Sequence, residues 1–207
     1  MKFKEFRRQM KKDVFTTHEA QIVAYAYQTD LINLQLHTWT RLGELTRLKR
    51  GVYLFTDSNP GIEIIASQLC SPCYFSLEYI LNLHGIIPEA VFTYTLVTTR
   101  PTRTFRTPRG DFSFRTIRSS AFAGFDTTSL LATPEKALID YLYLNSSRLE
   151  PSDTFWDESR LRLPDHFDLD LARSFAALFH SRKLGLLLTS LYSHAASETT
   201  GPASQKR

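Results

Sequence analysis

Cysteine is scarce in this chain. Its two copies, Cys70 and Cys73, form a single Cys-Ser-Pro-Cys. No second pair and no nearby histidine pair completes the four ligands that a structural zinc site needs. A thioredoxin-like motif should follow a strand and open a helix, whereas this one follows a helix-like stretch and precedes Tyr74-Phe75. The thiols therefore read as buried groups in a loop, with no redox or metal role expected. Long apolar runs are missing too: none approaches the roughly 18 residues of a membrane span. The start, Met1 to Arg8, is charged and has no apolar core of a signal peptide. A cytoplasmic protein with no membrane partner is the simplest expectation. There is also no phosphate-cradling glycine loop, no serine or cysteine nucleophile in a recognisable setting, and no internal repeat. No cofactor is expected.

What is present fits a globular protein. The 207 residues are 43% hydrophobic and 22% charged, enough for one ordinary domain or two small ones. The formal net charge is +4, and it is unevenly spread. Residues 1–55 hold ten lysines and arginines against five acids; residues 56–147 hold seven against eight; the remainder is balanced. A basic excess confined to the first segment suits a nucleic-acid partner, although a solvated basic face would look the same.

The most informative stretch runs from Arg41 to Phe55. Upstream, Phe3, Phe6 and Met10 share a helical face, and Val14-Phe15 forms an extended bridge. Thr16 and Glu19 have the spacing of a capping box that opens a helix ending near Gln28. Asp30 offers a new cap. In the third helix, about Leu31 to Leu42, Ile32, Leu36 and Trp39 fall on one side at 100° per residue. Asn33, His37, Thr40 and Arg41 fall on the other, with Thr38 beside them. Asn and Arg can make bidentate contacts to adenine and guanine edges in the major groove, so this face is a candidate for reading bases, against the plainer reading of a solvated helix. Gly43 suits a left-handed helix stop. Glu44 to Leu48 and Val52 to Phe55 read as strands joined by Lys49-Arg50-Gly51. Arg47, Lys49 and Arg50 then sit on a basic hairpin placed for phosphate or minor-groove contact. Three helices followed by such a hairpin is the order of a winged helix-turn-helix.

Asp57 to Gly61 is a run of turn formers, which sets a boundary. Residues 1–57 are expected to be a winged helix-turn-helix DNA-binding domain, residues 60–195 a mixed helix and antiparallel-sheet domain with C-terminal helices, and residues 196–207 a disordered tail. The whole is α+β. Within the second unit, helices are expected from Ile62, after a Ser76 cap, after Pro134 at a first helical position, and from Asp168 to about Lys183, with a last one around Leu184 to Leu191. Strands are expected over 92–99, 102–107, 111–117 and 128–132. Arg100, Arg103, Arg106, Arg109, Arg115 and Arg118 flank or lie on one hairpin, and alternation with Phe105, Phe112 and Phe114 would project many of them to one face. That surface reads as a second nucleic-acid contact, as a dock for an acidic partner, or as an edge kept soluble by charge.

The order of Arg47 to Tyr53, Ile65-Ala66-Ser67, Tyr74 to Glu78, His84 to Glu89 and Ala132 to Asp140 resembles AbiEi-type antitoxins of type IV toxin–antitoxin systems, regulators of viral defence. The resemblance covers about residues 14 to 145, and more loosely to 191. It implies an N-terminal winged helix that represses its own operon by binding double-stranded operator DNA in its own promoter. It also implies a second domain that antagonises a nucleotidyltransferase-like toxin. A solitary regulator or a protein-binding module without a toxin is the alternative. Catalysis is not expected. Glu135 and Lys136 are neighbours at a helix start and point different ways, and Asp165, Asp168 and Asp170 sit where a helix N-terminus favours acids.

Overall fold

A computed structural model describes residues 1–26, 31–152, 156 and 159–199. The expected helix end at Tyr27-Gln28, the expected cap Asp30 and the tail from 200 to 207 lie outside the described residues. Among those described, eight α-helices and two small sheets make a mixed α+β chain. No helix there is long and apolar enough to cross a membrane.

The first unit is built as its side-chain pattern demands. Helix α1 (Phe3–Gln9) leads to strand β1 (Val14–Thr16) and helix α2 (Thr17–Ala26). Thr16 and Glu19 close a reciprocal capping box: the Glu19 amide donates to Thr16 Oγ1 at 3.2 Å, and the Thr16 amide to Glu19 Oε2 at 2.7 Å. Helix α3 (Ile32–Arg41) buries Ile32, Leu36 and Trp39. It stops at Gly43, whose φ is +77°. There the Glu44 amide reaches back to the Trp39 carbonyl and the Gly43 amide to the Thr40 carbonyl, the pattern of a Schellman cap. Strands β2 (Leu45–Lys49) and β3 (Val52–Phe55) follow, in an antiparallel sheet of order β1-β3-β2. A small core of Phe6, Phe15, Trp39 and Phe55 joins helices to sheet, with Phe6 and Trp39 ring centres 4.9 Å apart. The Thr17 amide donates to the Gly51 carbonyl at 2.9 Å, which ties the start of α2 to the β2–β3 turn.

The second sheet is where the expectation of an antiparallel domain fails. Helix α4 (Ile62–Leu69), strand β4 (Cys73–Phe75), helix α5 (Leu77–Leu83) and strands β5 (Thr93–Thr98), β6 (Arg103–Thr107) and β7 (Gly110–Thr116) give the order β4-β5-β7-β6. The sheet is mixed, because β7 runs parallel to β5. The burial pattern supplies the reason. Phe112 and Phe114 of β7 are fully buried, whereas Arg103 and Arg106 of β6 are exposed. The hairpin therefore turns its apolar strand inward beside β5 and leaves the arginine-bearing strand outermost.

Four further expectations are corrected. Residues 128–132 form only isolated bridges, Phe75 to Leu131 and Phe125 to Ala132. Leu130 has a φ of +58°, and Asp126 Oδ1 gathers the Thr128 and Ser129 amides, so a local turn replaces the strand. Ser76 stands at the N-cap of α5 but does not cap it: its hydroxyl donates to Asp140 Oδ2 at 2.8 Å. After helix α6 (Pro134–Asn145), helix α7 (Leu169–Ala177) ends short of Lys183, since His180 takes a φ of +48°. Helix α8 (Arg182–Thr199) then continues beyond Ser193, so residues 196–199 belong to a helix rather than to a tail.

Candidate nucleic-acid interface

Helix α3 presents one face and hides the other. With Ile32, Leu36 and Trp39 fixed in the core, the side chains of Asn33, His37 and Arg41 are all exposed. They recur every four residues, so they line one side of the helix. Thr38 is half-buried beside them. Thr40 is also half-buried, and its hydroxyl donates to the Leu36 carbonyl at 2.7 Å, which uses its proton within the helix. Leu34 is exposed on the same side, although the polar face read from the sequence does not include it. The period alone could have shown it, because 34, 37, 38 and 41 recur at intervals of three and four.

The β2–β3 hairpin places its cations in different settings. Gly51 supplies the turn with a φ of +78°, and Arg50 is exposed at its tip. Arg47 is exposed on β2, its Nε directed at the Lys49 carbonyl at 3.4 Å. Lys49 faces inward. Its Nζ donates to the Leu69 carbonyl at 2.7 Å and lies 5.4 Å from the centre of the Phe105 ring. Burial holds its ammonium below the usual lysine range; Cys70 opposes that shift and nearby Arg103 adds to it. Lys49 thus joins the hairpin to α4 and β6, and is less free to meet a phosphate than Arg47 or Arg50.

The six arginines of the second unit do not share a face. Register pairs Arg103 with Phe114 and Phe105 with Phe112, which puts Arg103 on the side of the buried rings, toward Lys49. Arg106 pairs with Asp111, and Arg115 lies two places from Ser113 on that same opposite side. Arg109 is held at the turn, donating to the Ser58 carbonyl at 2.7 Å and to Asn59 Oδ1 at 3.2 Å. Arg100 directs its Nε to the Ser71 carbonyl at 3.4 Å, and Arg118 is exposed beyond β7. The expected single arginine face is therefore divided: Arg103 beside the hairpin, Arg106 and Arg115 on the other side, Arg109 committed to the connecting segment.

The acidic candidates lie in separate settings. Lys136 and Asp140 form an ion pair with neither side chain exposed. Asp140 also accepts from Tyr74 and Ser76, each at 2.8 Å. Burial disfavours charge on both: it lowers the Lys136 ammonium and raises the Asp140 carboxyl, and each partner counters the shift in the other. Glu135 Oε1 accepts the Asp168 amide at 3.2 Å, and Asp168 caps α7. Asp170 pairs with Arg173, and Asp165 and His166 are exposed. Cys70 and Cys73 are free thiols; burial, with Cys70 nearby, pushes Cys73 up to about 12, far from a reactive thiolate. Among the described residues no cluster of His, Cys, Asp or Glu could hold a metal ion. Neither a protein-family model nor a curated protein sequence matches the chain.

Proposed function

We propose that residues 1–57 are a winged helix that binds duplex DNA, and that the chain is a transcriptional repressor of its own operon and an antitoxin. In this reading α3 enters the major groove and the β2–β3 hairpin is the wing. The observation that carries it is the geometry of α3. Its apolar stripe is locked into the aromatic core while Asn33, His37 and Arg41 project together, and a hairpin with exposed Arg47 and Arg50 follows at once. The basic excess of residues 1–55 agrees. The resemblance to AbiEi-type antitoxins supplies the second role, antagonism of a nucleotidyltransferase-like toxin by the remainder of the chain. No residue of that remainder is assigned to it. The chain is read as non-catalytic, with Glu135, Lys136 and Asp140 as structural groups.

The test is fluorescence anisotropy of the protein on its own upstream DNA, against a shuffled duplex, across a salt series. A preference for upstream DNA, with log affinity falling linearly on log salt, is the expected result. Equal, weak binding to both duplexes would remove autoregulation and leave a protein-binding module. Joint replacement of Arg41 and Arg50 by alanine should abolish operator binding and spare toxin neutralisation.

A further inference from the structure

Leu34 is 61% exposed in the middle of the outward side of α3. It follows Asn33 directly and lies one turn from His37 and Thr38, two from Arg41. A single exposed leucine on a protein surface is ordinary. Leu31 and Leu42, which flank the same helix, are exposed as well; Leu34 differs in lying among Asn33, His37, Thr38 and Arg41, side chains that donate and accept hydrogen bonds, on a helix whose own core contacts are complete without it. The major-groove edges of base pairs carry donors, acceptors and one apolar group, the C5 methyl of thymine.

We infer that Leu34 reads a thymine by packing on its C5 methyl, between the contacts of Asn33 and Arg41. The inference rests on the DNA-binding reading above and adds a base to it. Seven residues separate Leu34 from Arg41, roughly 10 Å of helix, or about three base pairs. A guanine read by Arg41 therefore stands about three base pairs from that thymine.

The experiment begins by selecting the preferred duplex of the full chain from a random library. Each thymine in it is then replaced in turn by deoxyuridine, which removes the methyl and leaves base pairing intact. At one thymine the affinity should fall about fourfold, the worth of one buried methyl-sized group. Leu34→Ala should bind the thymine and uracil duplexes equally. Because Leu34 is exposed, the variant should fold as the parent does, checked by circular dichroism. Specific binding that tolerates every uracil would overturn the inference and leave the DNA reading standing. So would a Leu34→Ala protein that still prefers thymine, or a dimer that Leu34→Asp converts to monomers, since a second copy would then cover the leucine. Failure to select any preferred sequence would overturn the DNA reading itself.

Discussion

Lys136 and Asp140 are one turn apart on α6 and fully buried, and Asp140 is joined to β4 through the Tyr74 hydroxyl and to the start of α5 through the Ser76 hydroxyl. Removing one member leaves the other charged or forces it to change its protonation inside the core. Lys136→Met should therefore destabilise the chain by about 3–5 kcal/mol, read from urea denaturation. Replacing both with apolar residues should recover only part of that loss, because the two hydroxyls would keep no acceptor. Glu19 gives a prediction in pH. Burial would raise its carboxyl, but hydrogen bonds from Lys12 and from the Thr16 amide and hydroxyl outweigh burial and hold it below the usual glutamate range. A depressed folded value means that its contribution is present above the ordinary value of about 4.3 and is lost as pH falls through the folded one. Glu19→Gln should therefore cost about 1 kcal/mol at neutral pH. The gap between the two proteins should close in acid, as paired urea titrations at pH 7 and pH 3 would show.

Elements meet at two tight places. Gly124 has a φ of +79°, and a Cβ there would lie 2.7 Å from the Phe175 ring of α7 and 2.9 Å from Lys136 Cγ of α6. Gly124→Ala should lower stability by more than about 2 kcal/mol, combining backbone strain with overpacking; a thermal melt checks it. The second place is Lys49, where β2 reaches α4 and β6. Lys49→Met keeps the apolar stem and removes the hydrogen bond to Leu69, a loss of about 1 kcal/mol for a half-exposed group. Unchanged stability with weakened DNA affinity would instead assign Lys49 to the nucleic acid.

At the scale of the molecule, the sheet β1-β3-β2 serves two cores. Phe15, Leu45 and Phe55 face the first three helices, while Val14, Leu48, Val52 and Leu54 join the large core with Ile65, Leu69 and the second sheet. Arg109 adds a tie to the connecting segment. Two cores that share a sheet should unfold together. The only two tryptophans offer a probe in each: Trp39 in the smaller core and Trp156 in the larger. Single-tryptophan variants, Trp39→Phe and Trp156→Phe, should report the same unfolding midpoint once corrected for the mutations' own costs. Two separated transitions within one variant, followed by fluorescence and circular dichroism, would show independent units.

Local chemistry was legible because its causes are local. The Thr16–Glu19 box, the Gly43 stop, the Gly51 turn, the Pro134 start and the Asp168 cap each depend on residues within a few places of one another, and each stands where the pattern puts it. The buried and exposed sides of α3 follow in the same way from a period of 3.6 residues. Contacts across the chain had no such signature. The parallel pairing of β5 with β7, the capture of Lys49 by a carbonyl twenty residues on, and the diversion of Ser76 from cap to Asp140 were decided by which surfaces could be buried together. The arginines show the division most clearly: alternation along a strand gave their spacing, but pairing set their faces, because only the neighbouring strand determines which side of a sheet is closed.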